Sequence, residues 1–482
     1  MANKLAKIEH IVYLMLENRS FDQMLGLLYG GARQTPDGQP FEGLTGQESN
    51  PDSTGREVQV YAIQASDPHP YLMPGADPGE GFQNTSYQLY STDDPAAGAT
   101  PTNRGFVINF ASAIASDRAR HYKDTLPDVH PEQIMGVYTP ELLPVLSGLA
   151  KGYAVCDQWF ASAPTMTMPN RAFALAGTSQ GHLDDHVKIF TCPSIFGRLS
   201  DQQVDWAIFG YNRDPLTQHD YPDVQSADAS HFGHFRDFQT RAANGTLPAF
   251  TFLEPSWDAN GNSQHPNYDV AKGEQLIHDV YYALRNSPQW AVTLLIINYD
   301  EHGGNYDHVA PPDDATPPGD GSVGEFGFGF DRFGVRVPAV LVSPLIKAGT
   351  VFRAKQGHID HTSVLKTVSE RWGTQPLTAR DQAAASLGDV LTLAKPRSDD
   401  PLAGVSAPTS GIMHPQAAVP SKLDKLHAAR IAALPLRNEQ GHYEEAATDF
   451  DSTADLGTFI RDRSAAWSQH LSRKRAQRTK KT

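Results

Sequence analysis

Short apolar runs along the chain predict strands that are buried on both faces. Residues 11–16 read Ile-Val-Tyr-Leu-Met-Leu, and residues 293–299 read Thr-Leu-Leu-Ile-Ile-Asn-Tyr. Neither run alternates between apolar and polar positions, which is typical of parallel strands that helices cover on both sides. Three further apolar runs predict strands of the same sheet, at residues 204–211, 249–253 and 337–342.

Segments with helical periodicity separate these runs. They span residues 107–114, 140–149, 273–285 and 362–372, and Pro140 stands where the first turn of a helix accepts proline. Strands that alternate with helices are typical of α/β proteins. We therefore expect an α/β fold in which helices flank a largely parallel central sheet.

Two parts of the chain depart from this alternation. Residues 30–105 are rich in glycine, proline, aspartate and threonine without a sustained period, which predicts a long loop region. Such a loop is either a lid that faces the substrate or a surface segment. After about residue 395 the chain becomes loop-like, and helical periodicity returns at 421–434 and 456–475. We therefore expect a catalytic domain over residues 1–395 and a C-terminal loop and helical appendage over residues 396–482.

Composition and charge narrow the class of protein. The chain of 482 residues has 39% hydrophobic and 20% charged side chains and a formal net charge of -15. These values are typical of a large globular protein. The negative charge disfavours nucleic acid as a partner, because binding to its backbone requires many Lys or Arg contacts. The exception is a basic tail, which predicts either a solvated terminus or an anchor for lipid or nucleic acid; it comprises Arg473, Lys474, Arg475, Arg478, Lys480 and Lys481.

The cysteines and the N-terminus bear on where the protein is located. Cys156 and Cys192 are too few for a disulfide scaffold and lack the spacing of a metal site. The N-terminal residues enter the first strand within about a dozen positions, which leaves no room for a signal peptide. The sequence also contains no run of about 18 apolar residues. We therefore expect a protein that stays in the cytoplasm or leaves the cell by a processed or non-classical route.

Polar clusters follow two of the predicted strands. Glu17 and Asn18 come directly after the first strand, and Asp300 and Glu301 come directly after the strand at 293–299. Carboxylate and amide oxygens are hard ligands that select Ca²⁺, Mg²⁺ or Mn²⁺, and histidines nearby would also make Zn²⁺ acceptable. These four residues are therefore candidate metal ligands. The alternative is structural, with an ion network around a helix start at the first cluster and a capped turn at the second.

A third cluster, Thr165-Met166-Thr167-Met168-Pro169-Asn170-Arg171, is interpreted as another break between strand and loop. It contains two hydroxyls that could act as nucleophiles. A metal ion beside such a hydroxyl lowers its pKa and neutralises charge on a phosphoryl oxygen.

These clusters occur in an order that resembles a known family. The chain is similar to the bacterial and plant non-specific phospholipase C and AcpA-type acid phosphatase family. The resemblance covers roughly residues 8–375 and leaves out the C-terminal appendage. It rests on Glu17-Asn18-Arg19-Ser20-Phe21-Asp22, on Thr167-Met168-Pro169-Asn170-Arg171 and on Asp300-Glu301-His302-Gly303-Gly304, with further likeness at His265-Pro266 and Asp360-His361-Thr362-Ser363.

The resemblance implies a fold like that of alkaline phosphatase and a covalent phosphoenzyme. Thr167 matches the position of the nucleophile, whereas Thr165 lacks the two-residue spacing to Pro169 that the family pattern requires. Glu17, Asn18, Asp300 and Glu301 match the positions that hold the metal. One divalent ion is therefore implied, with Ca²⁺ preferred and Mg²⁺, Mn²⁺ or Zn²⁺ as alternatives.

Histidines at positions that resemble those of the family are expected to complete the chemistry. His265 and His361 are the candidates for stabilising charge and for protonating the departing alkoxide, because imidazole titrates near neutral pH. His302 and His308 belong to the second carboxylate motif, where they would orient it or bind substrate. His130 is a further candidate near the substrate entrance.

The substrate class stays open between two kinds of phosphate ester. The resemblance favours the phospholipase C branch, which releases diacylglycerol and a phosphorylated head group, over acid phosphatases that act on monoesters. A third alternative is a non-catalytic protein that binds lipid or phosphate. A lipid substrate would require transient contact with a membrane surface, and the oligomeric state is left open.

Overall fold

The computed structural model describes residues 4–96, 98–120, 125–186, 189–436, 446 and 450–479. The central element is an eight-stranded sheet with the order β12-β6-β11-β10-β1-β9-β7-β8. The strands of the chain are β1 His10–Leu16, β2 Ser49–Pro51, β3 Glu57–Gln59, β4 Tyr61–Ala62, β5 Gly136–Val137, β6 Ala154–Val155, β7 Trp206–Gly210, β8 Phe232–His234, β9 Phe250–Leu253, β10 Thr293–Tyr299, β11 Ala339–Val342 and β12 Thr350–Val351.

Helices pack around this sheet and supply most of the connections. The longer described helices are α2 Phe82–Tyr90, α3 Phe106–Ala119, α4 Pro144–Gly152, α5 Thr167–Ala176, α8 Phe235–Asn244, α9 Val270–Arg285, α10 Thr362–Trp372, α12 Lys422–Ala432 and α13 Thr453–Thr479; shorter ones are α1 Phe21–Leu25, α6 Ile195–Asp201, α7 Pro222–Gln225 and α11 Ala379–Ala383. Short 3₁₀ helices lie at Lys4–Lys7, Pro70–Leu72, Pro131–Met135, Leu216–His219, Ala229–His231, Trp290–Val292, Glu325–Gly327 and Gly388–Val390.

The expected α/β class and the largely parallel sheet are confirmed. β1 pairs in parallel with both β10 and β9, and every residue of β1 and β10 is buried. The antiparallel strand is β11, which pairs with β10 and β6. The predicted strand at 293–299 and the predicted helix at 362–372 have the observed bounds, because their residue patterns are continuous up to a polar or glycine residue.

Residues 30–105 contain more regular structure than a long loop. Two-stranded pairs form between β2 and β3 and between β4 and β5, and α2 is a helix of nine residues. Its sequence, FQNTSYQLY, is mostly polar, so hydrophobic periodicity does not reveal this helix. Whether this region acts as a lid stays a prediction.

The C-terminal segment packs on the sheet-based part of the chain. α12 and α13 share an apolar cluster that includes Ile431, Leu456 and Trp467. Arg430 of α12 forms a buried ion pair with Asp220, at 2.5 Å. The division of the chain at residue 395 stays a prediction. The basic tail lies partly at the end of α13, and its residues Lys480 and Lys481 are outside the described residues.

Within the described part of the chain, each helix is too short or too polar to cross a bilayer.

Candidate active site

Two strand ends bring the first and second polar clusters together. β1 and β10 run in parallel with Leu16 opposite Tyr299, so the residues that follow them leave the sheet at the same edge. The backbone N–H of Asn18 donates to Asp300 Oδ1 at 2.9 Å, and the N–H of Glu301 donates to the same oxygen at 2.8 Å. Asp300 therefore joins the two strand ends in the buried interior.

The backbone around Asn18 is tightly confined. Asn18 has a left-handed conformation with φ of 53°, which asparagine tolerates better than most residues. Its carbonyl oxygen faces Gly303, where an added Cβ would lie 2.2 Å from that oxygen. Gly303 itself has φ of 59°. A side chain at position 303 would therefore be both strained and obstructed, which explains the glycine in this motif.

Thr167 is the first residue of α5 and faces the Asn18 amide. Its hydroxyl donates to Asn18 Oδ1 at 3.2 Å, and the residue is 2% exposed. The interpretation that this cluster directly follows a strand is wrong, because β6 ends at Val155 and Thr167 begins a helix. The hydroxyl of Thr165 is turned away and donates to the carbonyl of Leu183. Of the two hydroxyls, Thr167 is the one that lines the cavity at the strand ends.

Arg171 connects this helix to both strand ends. Its Nε donates to Asp300 Oδ2 at 2.9 Å, and its terminal nitrogen donates to the carbonyls of Met15 and Leu16 at 3.2 and 3.0 Å. The guanidinium also lies 4.6 Å from the ring of Trp257. Arg171 thus fixes the position of α5, and with it Thr167, relative to Asp300.

A small cavity lies in front of Thr167. It encloses about 20 Å³, which is room for about one water molecule. The residues that line it come from the end of β1, the 30–105 region, the start of α5 and the segment after it, the loop after β9 and the start of α12: Glu17, Asp77, Glu80, Thr167, Asp185, Trp257, His265, Asn267, Tyr268, Ser421, Lys422 and Leu423.

Acidic residues that were not predicted complete this cavity. Glu80 Oε2 accepts a hydrogen bond of 2.7 Å from the Asn18 side-chain amide, which turns Asn18 Oδ1 toward Thr167. Asp185 Oδ1 accepts from the backbone N–H of Met168 at 2.8 Å. Asp77 and Glu80 stand in the sequence Asp-Pro-Gly-Glu within the 30–105 region. A carboxylate next to a Pro-Gly pair is the sequence signal for Glu80, but such a pair is too common to identify a site by itself.

His265 is the predicted histidine that lines the cavity. Its Nε2 lies 3.9 Å from Asp77 Oδ1 and 4.0 Å from Glu80 Oε2. Burial lowers the pKa of His265, but the carboxylates of Asp77, Glu17 and Glu80 outweigh it, so its pKa lies above the ordinary value. The imidazole is therefore held in a surrounding that favours its protonated form.

The carboxylates of the site raise one another's proton affinity. Burial raises the pKa of Glu17 and of Glu80 to about 7 each, and it raises the pKa of Glu301 well above its usual range. Nearby Asp300 adds to the effect at Glu17 and Glu301. Carboxylates crowded in this way repel one another when they are ionised. A bound cation would offset this repulsion, so the arrangement favours the binding of a cation.

The donor set fits a divalent metal ion. Glu301 Oε1 is buried and has no hydrogen-bond partner among the described residues, although a carboxylate oxygen in this position needs one. The predicted ligands Glu17, Asn18, Asp300 and Glu301 are all buried at the strand ends, and they offer only hard oxygens. Within the described ranges, two groups of three have ligand atoms that all lie within 4.8 Å: Asp77 with Glu80 and His265, and Asp22 with Asp307 and His308. Glu17, Asp300 and Glu301 do not form such a group, so their joint binding of a metal stays a prediction.

His361 and His302 contact the carboxylate motif from behind. His361 Nε2 donates to the carbonyl of Asp300 at 2.6 Å, and its Nδ1 accepts from Trp159 and Asn298. Burial lowers the pKa of His361 to about 4, so the ring is neutral. His302 Nδ1 lies 3.3 Å from Glu301 Oε2, and burial lowers its pKa to about 3. Both rings thus support the loop that carries Asp300 and Glu301.

His308 and His130 lie in other surroundings. His308 Nδ1 is 2.7 Å from Asp22 Oδ2, in a buried ion network in which Arg336 pairs with Asp22 and Asp307. His130 is exposed and precedes the 3₁₀ helix that begins at Pro131. The structure therefore brings His265 to the cavity and His361 to the carbonyl of Asp300. A catalytic role of His361, and a role of His130, His302 or His308 in substrate binding, stay predictions.

Comparison with known proteins gives matches across most of the chain. A sequence model of a protein family, described as "Phosphoesterase family", matches residues 8–375. Non-specific phospholipase C6 of Arabidopsis thaliana is 36% identical over 416 residues, which are 82% of this chain and 74% of that protein. Phospholipase C B of Mycobacterium tuberculosis is 28% identical over 438 residues, which are 80% of this chain and 78% of that protein.

A comparison of structures matches a protein in the alkaline phosphatase superfamily from Vibrio parahaemolyticus. The match has 14% identity and a TM-score of 0.31, and it covers 50% of this chain and 64% of that chain, which is less than two thirds. The α/β assignment therefore rests on the sheet itself.

Proposed function

Since the chain belongs to the phosphoesterase family and is therefore a hydrolase of phosphoric ester bonds, we propose that it is a phospholipase C. It cleaves glycerophospholipids to diacylglycerol and a phosphorylated head group. The observation that carries the proposal is the Thr167 hydroxyl, which faces Asn18 Oδ1 in a cavity lined by carboxylates and His265. The names of the similar plant and mycobacterial proteins support the choice of a lipid substrate.

Thr167 is the proposed nucleophile. In the first step its hydroxyl passes its proton to a carboxylate of the cavity, its oxygen attacks phosphorus and forms a phosphothreonine, and the bond from phosphorus to the glycerol oxygen breaks. In the second step water attacks phosphorus, the bond from phosphorus to the threonine oxygen breaks, and that proton returns to Thr167. His265 donates a proton to the departing alkoxide, and the same ring then accepts a proton from the water that hydrolyses the phosphothreonine.

Glu17, Asn18, Asp300 and Glu301 are the proposed ligands of one divalent metal ion. Their oxygen donors suit Ca²⁺, Mg²⁺ or Mn²⁺, and Ca²⁺ is the ion that the family resemblance favours. When bound, such an ion lowers the pKa of a neighbouring hydroxyl and neutralises charge on phosphoryl oxygen. Glu80 holds the Asn18 amide in place, and Arg171 and His361 hold Asp300. These supporting residues keep the ligands in position before substrate binds.

An apolar surface near the cavity fits transient contact with a membrane. Phe326 is 66% exposed and Val323 is 65% exposed, in a loop that packs against the start of α2. The ring of Phe326 stacks on Phe82 at 5.7 Å, and Phe82 follows Glu80 by two residues. Exposed apolar side chains in this place would bring a lipid interface close to the cavity.

The test compares Thr167→Ala with the neighbouring control Thr165→Ala. We expect the unsubstituted chain to release phosphocholine from phosphatidylcholine vesicles, and we expect mass spectrometry of the trapped reaction to detect a phosphothreonine. Thr167→Ala is expected to lose both the activity and the phosphothreonine. Thr165→Ala is expected to keep turnover and to lose about 1 kcal/mol of stability, because it removes one hydrogen bond. Full turnover in Thr167→Ala would refute the mechanism.

Two further measurements decide the substrate class and the cation. Faster hydrolysis of p-nitrophenyl phosphate than of phosphatidylcholine would instead indicate a phosphomonoesterase, and binding without turnover of either would indicate a non-catalytic relative. Dialysis against EDTA is expected to abolish turnover, and add-back of Ca²⁺, Mg²⁺, Mn²⁺ or Zn²⁺ separately would identify the ion.

A further inference from the structure

A lysine from the C-terminal segment reaches the catalytic cavity. Lys422 lies outside residues 8–375, which the family matches, yet it lines the cavity together with Thr167 and His265. Its Nζ is 2.8 Å from Asp77 Oδ2 and 3.8 Å from Glu80 Oε1. The side chain is 56% exposed, so it approaches the cavity from the solvent side.

The position of Lys422 is fixed by the way in which α12 begins. Ser421 is the N-cap, and its hydroxyl accepts from the N–H of Asp424 at 3.0 Å. The Asp424 carboxylate accepts in return from the N–H of Ser421 and also pairs with Arg213 of the sheet-based part. This reciprocal cap holds the backbone of Lys422 at the cavity while leaving its side chain several rotatable bonds.

The charge of the cavity shows why such a lysine matters. Glu17, Asp77, Glu80 and Asp185 all line the cavity, so a phosphate group at its mouth faces a predominantly acidic wall. Lys422 and His265 are the cationic side chains among its lining residues. An ammonium group on a flexible stem can exchange a carboxylate for a phosphate oxygen with little movement of the backbone.

We propose that Lys422 binds a non-bridging oxygen of the substrate's phosphate group, so that the C-terminal segment supplies part of the substrate site. This inference rests on the proposed phosphoryl transfer at Thr167. It assigns to α12 a direct part in recognising the phosphate, in addition to its packing on the sheet-based part. The same chemistry applies to a lipid phosphodiester and to free inorganic phosphate, which the two arms of the test separate.

The test compares Lys422→Met and Lys422→Arg with the control Lys425→Met. Lys425 lies on the same helix and is exposed. In the first arm, isothermal titration calorimetry measures the binding of inorganic phosphate, which does not depend on turnover. We expect Lys422→Met to weaken this binding about 10- to 100-fold, as the loss of a charge-assisted hydrogen bond implies. Lys422→Arg and Lys425→Met are expected to stay within about threefold of the unsubstituted chain.

In the second arm, steady-state kinetics on phosphatidylcholine vesicles are expected to show a raised KM for Lys422→Met with a smaller change in kcat. If Lys422→Met does not fold, the double variant Lys422→Met with Asp77→Asn removes the unpaired carboxylate as well and is measured in its place. Unchanged phosphate affinity in Lys422→Met would overturn the inference. Tighter phosphate binding or faster turnover in this variant would also overturn it, because such an increase is expected if Lys422 only obstructs the cavity. Failure of the unsubstituted chain to hydrolyse any ester, with phosphate still bound through Lys422, would refute the proposed function alone.

Discussion

Replacing Arg171 tests how strongly the two strand ends depend on one buried ion pair. The Arg171 side chain is 3% exposed and that of Asp300 is fully buried, and they are 2.9 Å apart. Arg171→Met keeps a side chain of similar length but leaves the Asp300 carboxylate without this cation in a buried place. Removing one partner of such a pair costs about 3–5 kcal/mol. The variant also loses the hydrogen bonds to the carbonyls of Met15 and Leu16.

The assay is equilibrium unfolding in urea in the presence of EDTA, which keeps metal binding from contributing. We expect Arg171→Met to lose about 3–5 kcal/mol of unfolding free energy. The matched control is Arg56→Met, because Arg56 also pairs with carboxylates but its side chain is 59% exposed. Exposed pairs contribute about 0–1 kcal/mol, so this control should differ little from the unsubstituted chain.

A double-mutant cycle isolates the pair itself. Asp300→Asn removes the charge that Arg171→Met would leave unpaired, so the double variant is expected to be more stable than the sum of the two single losses implies. A loss below about 1 kcal/mol in Arg171→Met, or strictly additive effects in the cycle, would refute the stabilising role assigned to this pair.

Two other predictions concern the membrane surface and acid stability. Phe326→Ser is expected to weaken binding to phosphatidylcholine vesicles about tenfold, because it removes an aromatic ring that would be partly buried in the lipid interface. Turnover of soluble p-nitrophenyl phosphate is expected to stay unchanged. The control Met413→Ser removes a side chain that is 73% exposed, and equal vesicle binding by the two variants would contradict the assignment of the surface. Burial lowers the pKa of His219 from 6.5 to about 4, so the stability that its neutral form contributes is complete above pH 6.5 and is lost as the pH falls toward 4. The difference in unfolding free energy between the unsubstituted chain and His219→Asn should therefore fall by about 3 kcal/mol over that window, and a constant difference would count against it.

The sequence predicts the bounds of an element well where the residues of that element, or those next to it, determine where it begins and ends. β10 is a mostly apolar run that the carboxylate Asp300 follows, and α10 is followed by Gly373 in the left-handed conformation, so both have bounds that the sequence indicates. The residue pattern alone is enough to group Glu17, Asn18 and Asp300, because parallel neighbouring strands present their carboxyl ends at one edge. Thr167 is identified through the family resemblance, since its helix has no strand directly before it.

The remainder of the site depends on contacts between distant segments. Glu80 acts on Asn18 through one hydrogen bond, and Lys422 reaches Asp77 across 345 positions of the chain. Neither residue stands in a pattern that distinguishes it from other surface charges. The histidines illustrate the same limit: His265 and His361 both resemble histidine positions of the family, but only the fold directs the first to the cavity and the second to a backbone carbonyl.

The pairing of Asn18 with Asp300 has a consequence for the synthesis of the protein. The two residues are 282 positions apart, so at about 5–20 residues per second the first waits roughly 14–56 s for the second to leave the ribosome. During most of that interval β1, which is apolar from Ile11 to Leu16, has neither β9 nor β10 to pair with. Its exposed edges would then favour association with other chains. Chaperone binding to the nascent N-terminal segment is therefore expected to raise the yield of folded enzyme more than any later assistance.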